Sequence, residues 1–237
     1  PYIEDEVGVE KVLNGVFDDP QYRKIIEEKN LTATGTGCLF TRDYKGFLPE
    51  LMEKFYKDRS YYKDKMIEAK KAFEEDPSED NEKAIAQNYN MQIARKYQLN
   101  SVYGALSNEY FRWFDDKLAE SITCSGQLAT KWVERDMNNY LNKLLKTEDI
   151  DYVIACDTDS MYITLDGLVK HIVSEELSTA KIVTIVDEFC KNKLEPYIDA
   201  SFERLGRYVN AYSQKMKMKR ESIADKAIWT AKKRYIM

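Results

Sequence analysis

The sequence predicts an α+β fold in which a β-sheet with packed helices carries an inserted antiparallel helical hairpin. Three observations predict it. Two helix-length segments, about 49–73 and 81–106, are separated only by the polar turn EEDPSEDNE. Strand-like, β-branched runs occur before and after them, notably YVIACDTDSMYITL at 152–165. Further long helices, about 117–145 and 178–208, interleave with those runs.

In chain order, residues 1–33 are polar and weakly patterned. The segment TGTGCLFTRDYKGFLPE from 34 reads as a β-hairpin whose polar turn ends at Gly46. Pro49 then opens the first long helix, where a missing N–H costs nothing. Two helices of about 25 residues at 1.5 Å per residue make a hairpin roughly 37 Å long. After it come an aromatic strand, EYFRWFD (109–115), and the helix 117–145. Two strands follow around the acidic pair, then the helix 178–208, then strands in KMKMKRES and KAIWTAKKRYIM.

Composition narrows the chemistry. The 237 residues are 43% hydrophobic and carry 36 basic against 41 acidic side chains, a net charge of -5, which excludes a general polycation but not a local basic surface. One histidine, His171, removes a Ser/His/Asp triad and a His-rich metal cage. Cys38, Cys124, Cys156 and Cys190 are widely and irregularly spaced, so buried free thiols in a reducing cytoplasm are expected, not a zinc site or disulfides. No apolar run approaches the roughly 20 residues that span a bilayer, and no signal peptide is present. The ends, PYIEDEV without a methionine and AKKRYIM after a strand-like run, suggest a piece of a longer protein.

Asp157 and Asp159 interrupt an apolar stretch. Residues two apart in a strand share a side, and two half-buried carboxylates repel. A divalent cation resolves that conflict, and Mg²⁺ takes one or two carboxylates together with phosphate oxygens and water. A solvated turn is the plain alternative.

The hairpin carries matching groups. Arg59 and Lys63 are four apart on one helix face. In KYQLNSVYG, Lys96, Asn100 and Tyr103 form one stripe beside Gly104. Cations there can bind a triphosphate, and a tyrosine beside a helix glycine offers a flat surface for a sugar or base. Near the end, KMKMK alternates charge with methionine, and residues 215–234 hold eight cations against Glu221 and Asp225. Such an excess fits a track for a phosphate backbone; an edge strand kept soluble by lysines is the alternative.

Together these segments resemble the family B (polymerase-alpha-like) DNA polymerases, most closely the replicative enzymes of tailed bacteriophages. KYQLNSVYG resembles the fingers motif K-x3-N-S-x-Y-G, CDTDS (156–160) the palm motif Y-G-D-T-D-S, and AKKRY (231–235) the primer-gripping K-K-R-Y. The resemblance implies a partial palm at 1–48, a fingers hairpin at 49–107 and palm again at 108–237. It implies Asp159 and Asp157 as catalytic metal ligands for two Mg²⁺ ions, with Mn²⁺ as a substitute. Arg59, Lys63, Lys96 and Asn100 would face the incoming deoxynucleoside triphosphate, with Tyr103 and Gly104 at the nascent base pair. Lys232, Lys233, Arg234 and Tyr235 would hold primer–template DNA. Ala155 and Cys156 replace the usual Tyr-Gly, and the first palm motif, D-x-x-S-L-Y-P-S, is absent, so a second polypeptide supplying it joins the expected partners. Two alternatives remain: a DxD glycosyltransferase, and a non-catalytic nucleic-acid-binding helical hairpin.

Overall fold

The computed structural model describes residues 7–157, 160–172, 177–231 and 234–236. The chain divides into two compact units, one made of 1–42 with 121–237 and the other of 43–120.

The first unit opens with α1 (Val9–Leu13), a 3₁₀ turn (Val16–Asp18) and α2 (Pro20–Glu28), where the sequence suggested no pattern. Their signals are local. Asp19 accepts a hydrogen bond from Gln21 N (2.8 Å) as an N-cap, and Pro20 sits just inside the helix. Strands β1 (Leu31–Ala33) and β2 (Leu39–Thr41) pair antiparallel, so the hairpin lies earlier than expected. TGTG is the turn itself: Gly37 adopts φ 83°, and a Cβ on Gly35 would lie 2.4 Å from the Cys124 carbonyl oxygen. Gly46 instead caps the following helix.

The scaffold of this unit is α5 (Asp116–Leu145), of which the part from residue 121 belongs to it. Leu128, Val133, Met137, Leu141 and Leu145 recur along one face and are buried. Strands β3 (Val153–Asp157) and β4 (Ser160–Ile163) follow, then α6 (Asp166–Ile172), a helix too short to announce itself in the sequence.

The helix expected over 178–208 is α7 (Thr179–Phe189), a π turn (Cys190–Leu194) and α8 (Glu195–Tyr208) in unbroken succession. Pro196 has no N–H to complete an ordinary α turn, and the wider turn precedes it. α8 buries Ile198, Phe202, Leu205 and Tyr208.

Residues 211–227 contain no strand, which corrects the expectation for KMKMKRES. Side chains occupy the backbone groups a ladder would need. Gln214 Nε2 donates to Met216 O (2.8 Å), Met216 N donates to Gln214 Oε1, and Arg220 N donates to Glu195 Oε1 (3.2 Å). The stretch KAIWTAKKRYIM, expected as strand, contains an antiparallel pair, β5 (Ile228–Ala231) with β6 (Arg234–Ile236). Among the described residues the β component is therefore three two-stranded antiparallel pairs, within an α+β fold.

The second unit is built on α3 (Phe47–Glu75) and α4 (Glu79–Leu106), the antiparallel hairpin. Ser78 Oγ accepts from Asn81 N (3.4 Å) at the start of α4, and Asn81 Nδ2 donates to Asp76 O (2.9 Å) across the turn. Residues 109–115 are consecutive turns, not the expected strand. Asn108 Oδ1 accepts from Tyr110 N (3.0 Å), and Asp115 Oδ1 accepts from Leu118 N (3.0 Å) as the cap of α5. Phe47 and Phe111 both pack on Trp113, at 5.1 and 5.5 Å between ring centres.

The four cysteines are free, but only Cys190 is buried; Cys156 is exposed, against expectation. It lies on β3 just beyond a bulge that leaves Ile154 unpaired and 52% exposed. No helix among the described residues is long and apolar enough to cross a membrane.

Candidate active site

The acidic hairpin is positioned from beneath by asparagines of α5. Asn138 Oδ1 accepts hydrogen bonds from both Tyr152 N and Val153 N, each 2.9 Å away. One turn on, Asn142 Oδ1 accepts from Ile150 N (3.1 Å) while its Nδ2 donates to Ile150 O (2.7 Å). The segment entering β3 is thus fastened to the helix before the strand begins. Strand β3 then pairs with β4 in the register Cys156↔Met161 and Asp157↔Ser160, so only two residues, 158 and 159, lie between the paired ends. Ser160 Oγ donates to Asp157 O (3.2 Å). Asp157 therefore stands half-buried at the end of a short hairpin; Asp159 lies outside the described residues.

Next to Asp157, the Cys156 thiol is pushed up to about 11, first by desolvation and then by the Glu134 carboxylate of α5. At neutral pH it is a thiol, so no soft thiolate stands in this position. The donor chemistry at the hairpin end is hard oxygen, which suits Mg²⁺ or Mn²⁺. No cluster of three or more His, Cys, Asp or Glu side chains able to hold a metal occurs among the described residues.

The acidic hairpin and the final hairpin meet through aromatic rings within the first unit. Tyr162 of β4 packs edge-on against Trp229 of β5 (5.2 Å) and against Tyr235 of β6 (5.3 Å). Trp229 and Tyr235 are themselves cross-strand partners. The Tyr162 phenol is held above its usual range, first by the neighbouring Tyr235 phenol, then by desolvation, with the Asp157 carboxylate adding to the effect. The structure thus brings the hairpin that carries Asp157 and the hairpin that carries Tyr235 to one aromatic seam. Arg234 precedes Tyr235 in β6 and is exposed; Lys232 and Lys233 lie outside the described residues.

In the second unit, Lys96, Asn100, Tyr103 and Gly104 are all exposed, as one stripe of α4 would be. Arg95 Nε donates to Asp58 Oδ2 (3.2 Å), and its guanidinium lies 5.6 Å from the Phe55 ring centre. This cross-helix pair sets the turn carrying Arg59 level with the turn carrying Lys96. Lys63 is exposed one turn further along α3. Arg59 is half-buried, and its Nε is enclosed without a hydrogen-bond partner. A Cβ added to Gly104 would meet nothing within 4 Å, so the surface beside Tyr103 is open.

Residues 18–205 match the sequence model of the family described as DNA polymerase family B. The chain belongs to DNA polymerase family B. It is 38% identical over 155 residues to a DNA-directed DNA polymerase of Escherichia phage RB69, a match covering 62% of this chain and 17% of the phage protein. It is 37% identical over 168 residues to that of Enterobacteria phage T4, covering 67% of this chain and 19% of the relative. DNA polymerase 1 of Pyrococcus abyssi (strain GE5 / Orsay) is 27% identical over 192 residues, covering 81% and 22%. The chain thus spans about a fifth of the length of these relatives. Membership of a polymerase family sets aside the glycosyltransferase alternative.

Sequence reading missed Tyr162, Trp229 and Asn138. Asn138 did leave a signal, because Asn138 and Asn142 sit four apart inside a helix that asparagine disfavours unless its side chain is engaged. The aromatic seam left none, since nothing local in YITL points to Trp229.

Proposed function

We propose that this chain supplies the fingers and part of the palm of a DNA-directed DNA polymerase that transfers deoxynucleotides to a primer 3′-hydroxyl. The observation that carries the reading is the aromatic seam, which puts the carboxylate hairpin and the K-K-R-Y hairpin side by side within one unit. A polymerase needs that adjacency, because the reacting primer end has to lie where the duplex is gripped.

On this reading residues 49–107 are the fingers, and 1–48 with 108–237 are palm. Asp157 and Asp159 hold Mg²⁺, with Mn²⁺ as a substitute; when bound, two such ions favour the attacking 3′-oxygen and the leaving pyrophosphate. Arg59, Lys63, Lys96 and Asn100 bind and orient the triphosphate, the arginine as a fork and the lysines as point charges. The exposed Lys96–Asn100 stripe supports that role. Tyr103, with the open surface over Gly104, receives the new base pair. Lys232, Lys233, Arg234 and Tyr235 hold the primer–template duplex.

The motif D-x-x-S-L-Y-P-S does not occur in these 237 residues, so a carboxylate of the two-metal site comes from elsewhere and the isolated chain does not extend a primer. Two measurements test this. Mn²⁺ titration should show saturable binding that Asp159→Ala weakens by at least the roughly 10-fold that losing even an outer-shell partner costs; equal binding by variant and wild type would remove the metal role. Primer extension by the isolated chain should yield no product, and robust extension would contradict the incomplete site.

A further inference from the structure

The segment 211–227 holds lysines at alternate positions, a pattern commonly explained as an edge strand kept soluble. That explanation needs a strand, and there is none between 211 and 227. The segment is instead a strap tied to the body of the first unit. Arg220 N donates to Glu195 Oε1 (3.2 Å), and the Arg220 guanidinium pairs with Asp187. Those two acids flank the π turn, one on each side. Met218 and Ile223 pack against the hydrophobic core.

Met218 and Arg220 hold the strap down, and Lys217 and Lys219 alternate with them, exposed. Neither forms an ion pair with a carboxylate among the described residues. Arg220, by contrast, has its acids. Two unneutralised cations held near each other on an anchored backbone repel, and a polyanion relieves that repulsion. Lysine binds phosphate as a point charge without reading a base.

We propose that Lys217 and Lys219 form a second contact for the phosphate backbone of duplex DNA, separate from that of residues 232–235. This rests on the reading of the chain as part of a DNA polymerase.

The test is binding of a labelled primer–template duplex to the intact chain, followed by fluorescence anisotropy between 50 and 200 mM salt. Each phosphate neutralised contributes a slope of about 0.9 in log K against log salt. The double variant Lys217→Gln/Lys219→Gln should therefore flatten the slope by about 1.8 and weaken binding equally for unrelated DNA sequences. A charge-matched control, Lys143→Gln/Lys181→Gln, should leave the slope unchanged. An unaltered slope in the strap variant, or an equal loss in the control, overturns the strap contact. Arg234→Gln separates the two readings: no effect there, with a flattened slope in the strap variant, sinks the primer grip and keeps the strap. No binding by the wild-type chain sinks both.

Discussion

Glycine at position 104 is not required by the fold. It lies inside α4, has no left-handed φ, and a methyl group there would touch nothing within 4 Å. In a helix interior glycine costs roughly 0.5–1 kcal/mol relative to alanine. Gly104→Ala should therefore stabilise the chain by about that amount in urea unfolding, while lowering nucleotide addition in a complete polymerase if the surface beside Tyr103 receives the base pair as proposed above. Destabilisation would show that the helix needs the glycine after all. Asp157 drew notice in the sequence for a local reason: a carboxylate inside a β-branched run is a conflict that demands an explanation. Tyr162 creates no such conflict, and its ring partners arrive only when β5 and β6 fold back.

Elements were legible where local chemistry and periodicity agreed. The hairpin α3–α4 announced itself through its length and the Asp-Pro-Ser turn, and Ser78 caps as that turn suggests. Local composition misled twice. In 109–115 aromatic content and in 215–219 a period of two look like strand, but Asn108, Asp115 and Gln214 bond nearby backbone groups and leave no free ladder. The link between α5 and β3 shows the opposite case, a tertiary contact made by one side chain. Asn138→Ala removes an acceptor shared by two backbone N–H groups. It should cost about 1–3 kcal/mol in urea unfolding. A change below a few tenths of a kcal/mol would mean that water or a shifted backbone replaces the amide.

At the scale of the molecule, the first unit is assembled from two stretches of chain, 1–42 and 121–237. Tyr208 helps to join them: its hydroxyl donates to Val12 O (2.6 Å) and accepts from Phe17 N (3.2 Å). Burial raises its pKa above the usual value near 10, partly offset by the Phe17 N–H, so the folded state holds this proton more tightly than the unfolded chain. Its contribution is complete below about pH 10 and is lost as pH rises through the folded value. Urea unfolding from pH 8 to 11 should show this alkaline loss in the wild type and a flatter profile in Tyr208→Phe; superimposable profiles would assign the loss to other groups. The π turn at Cys190–Leu194 bears on how such a body tolerates changes in length. It behaves as a surplus residue absorbed in mid-helix. Deleting one residue there would restore ordinary winding and leave Ile198, Phe202 and Leu205 of α8 facing the interior, whereas the same deletion within the regular turns of α7 would spin everything beyond it by about 100°. A one-residue change in length is therefore tolerated at the turn and not in the regular helix on either side of it.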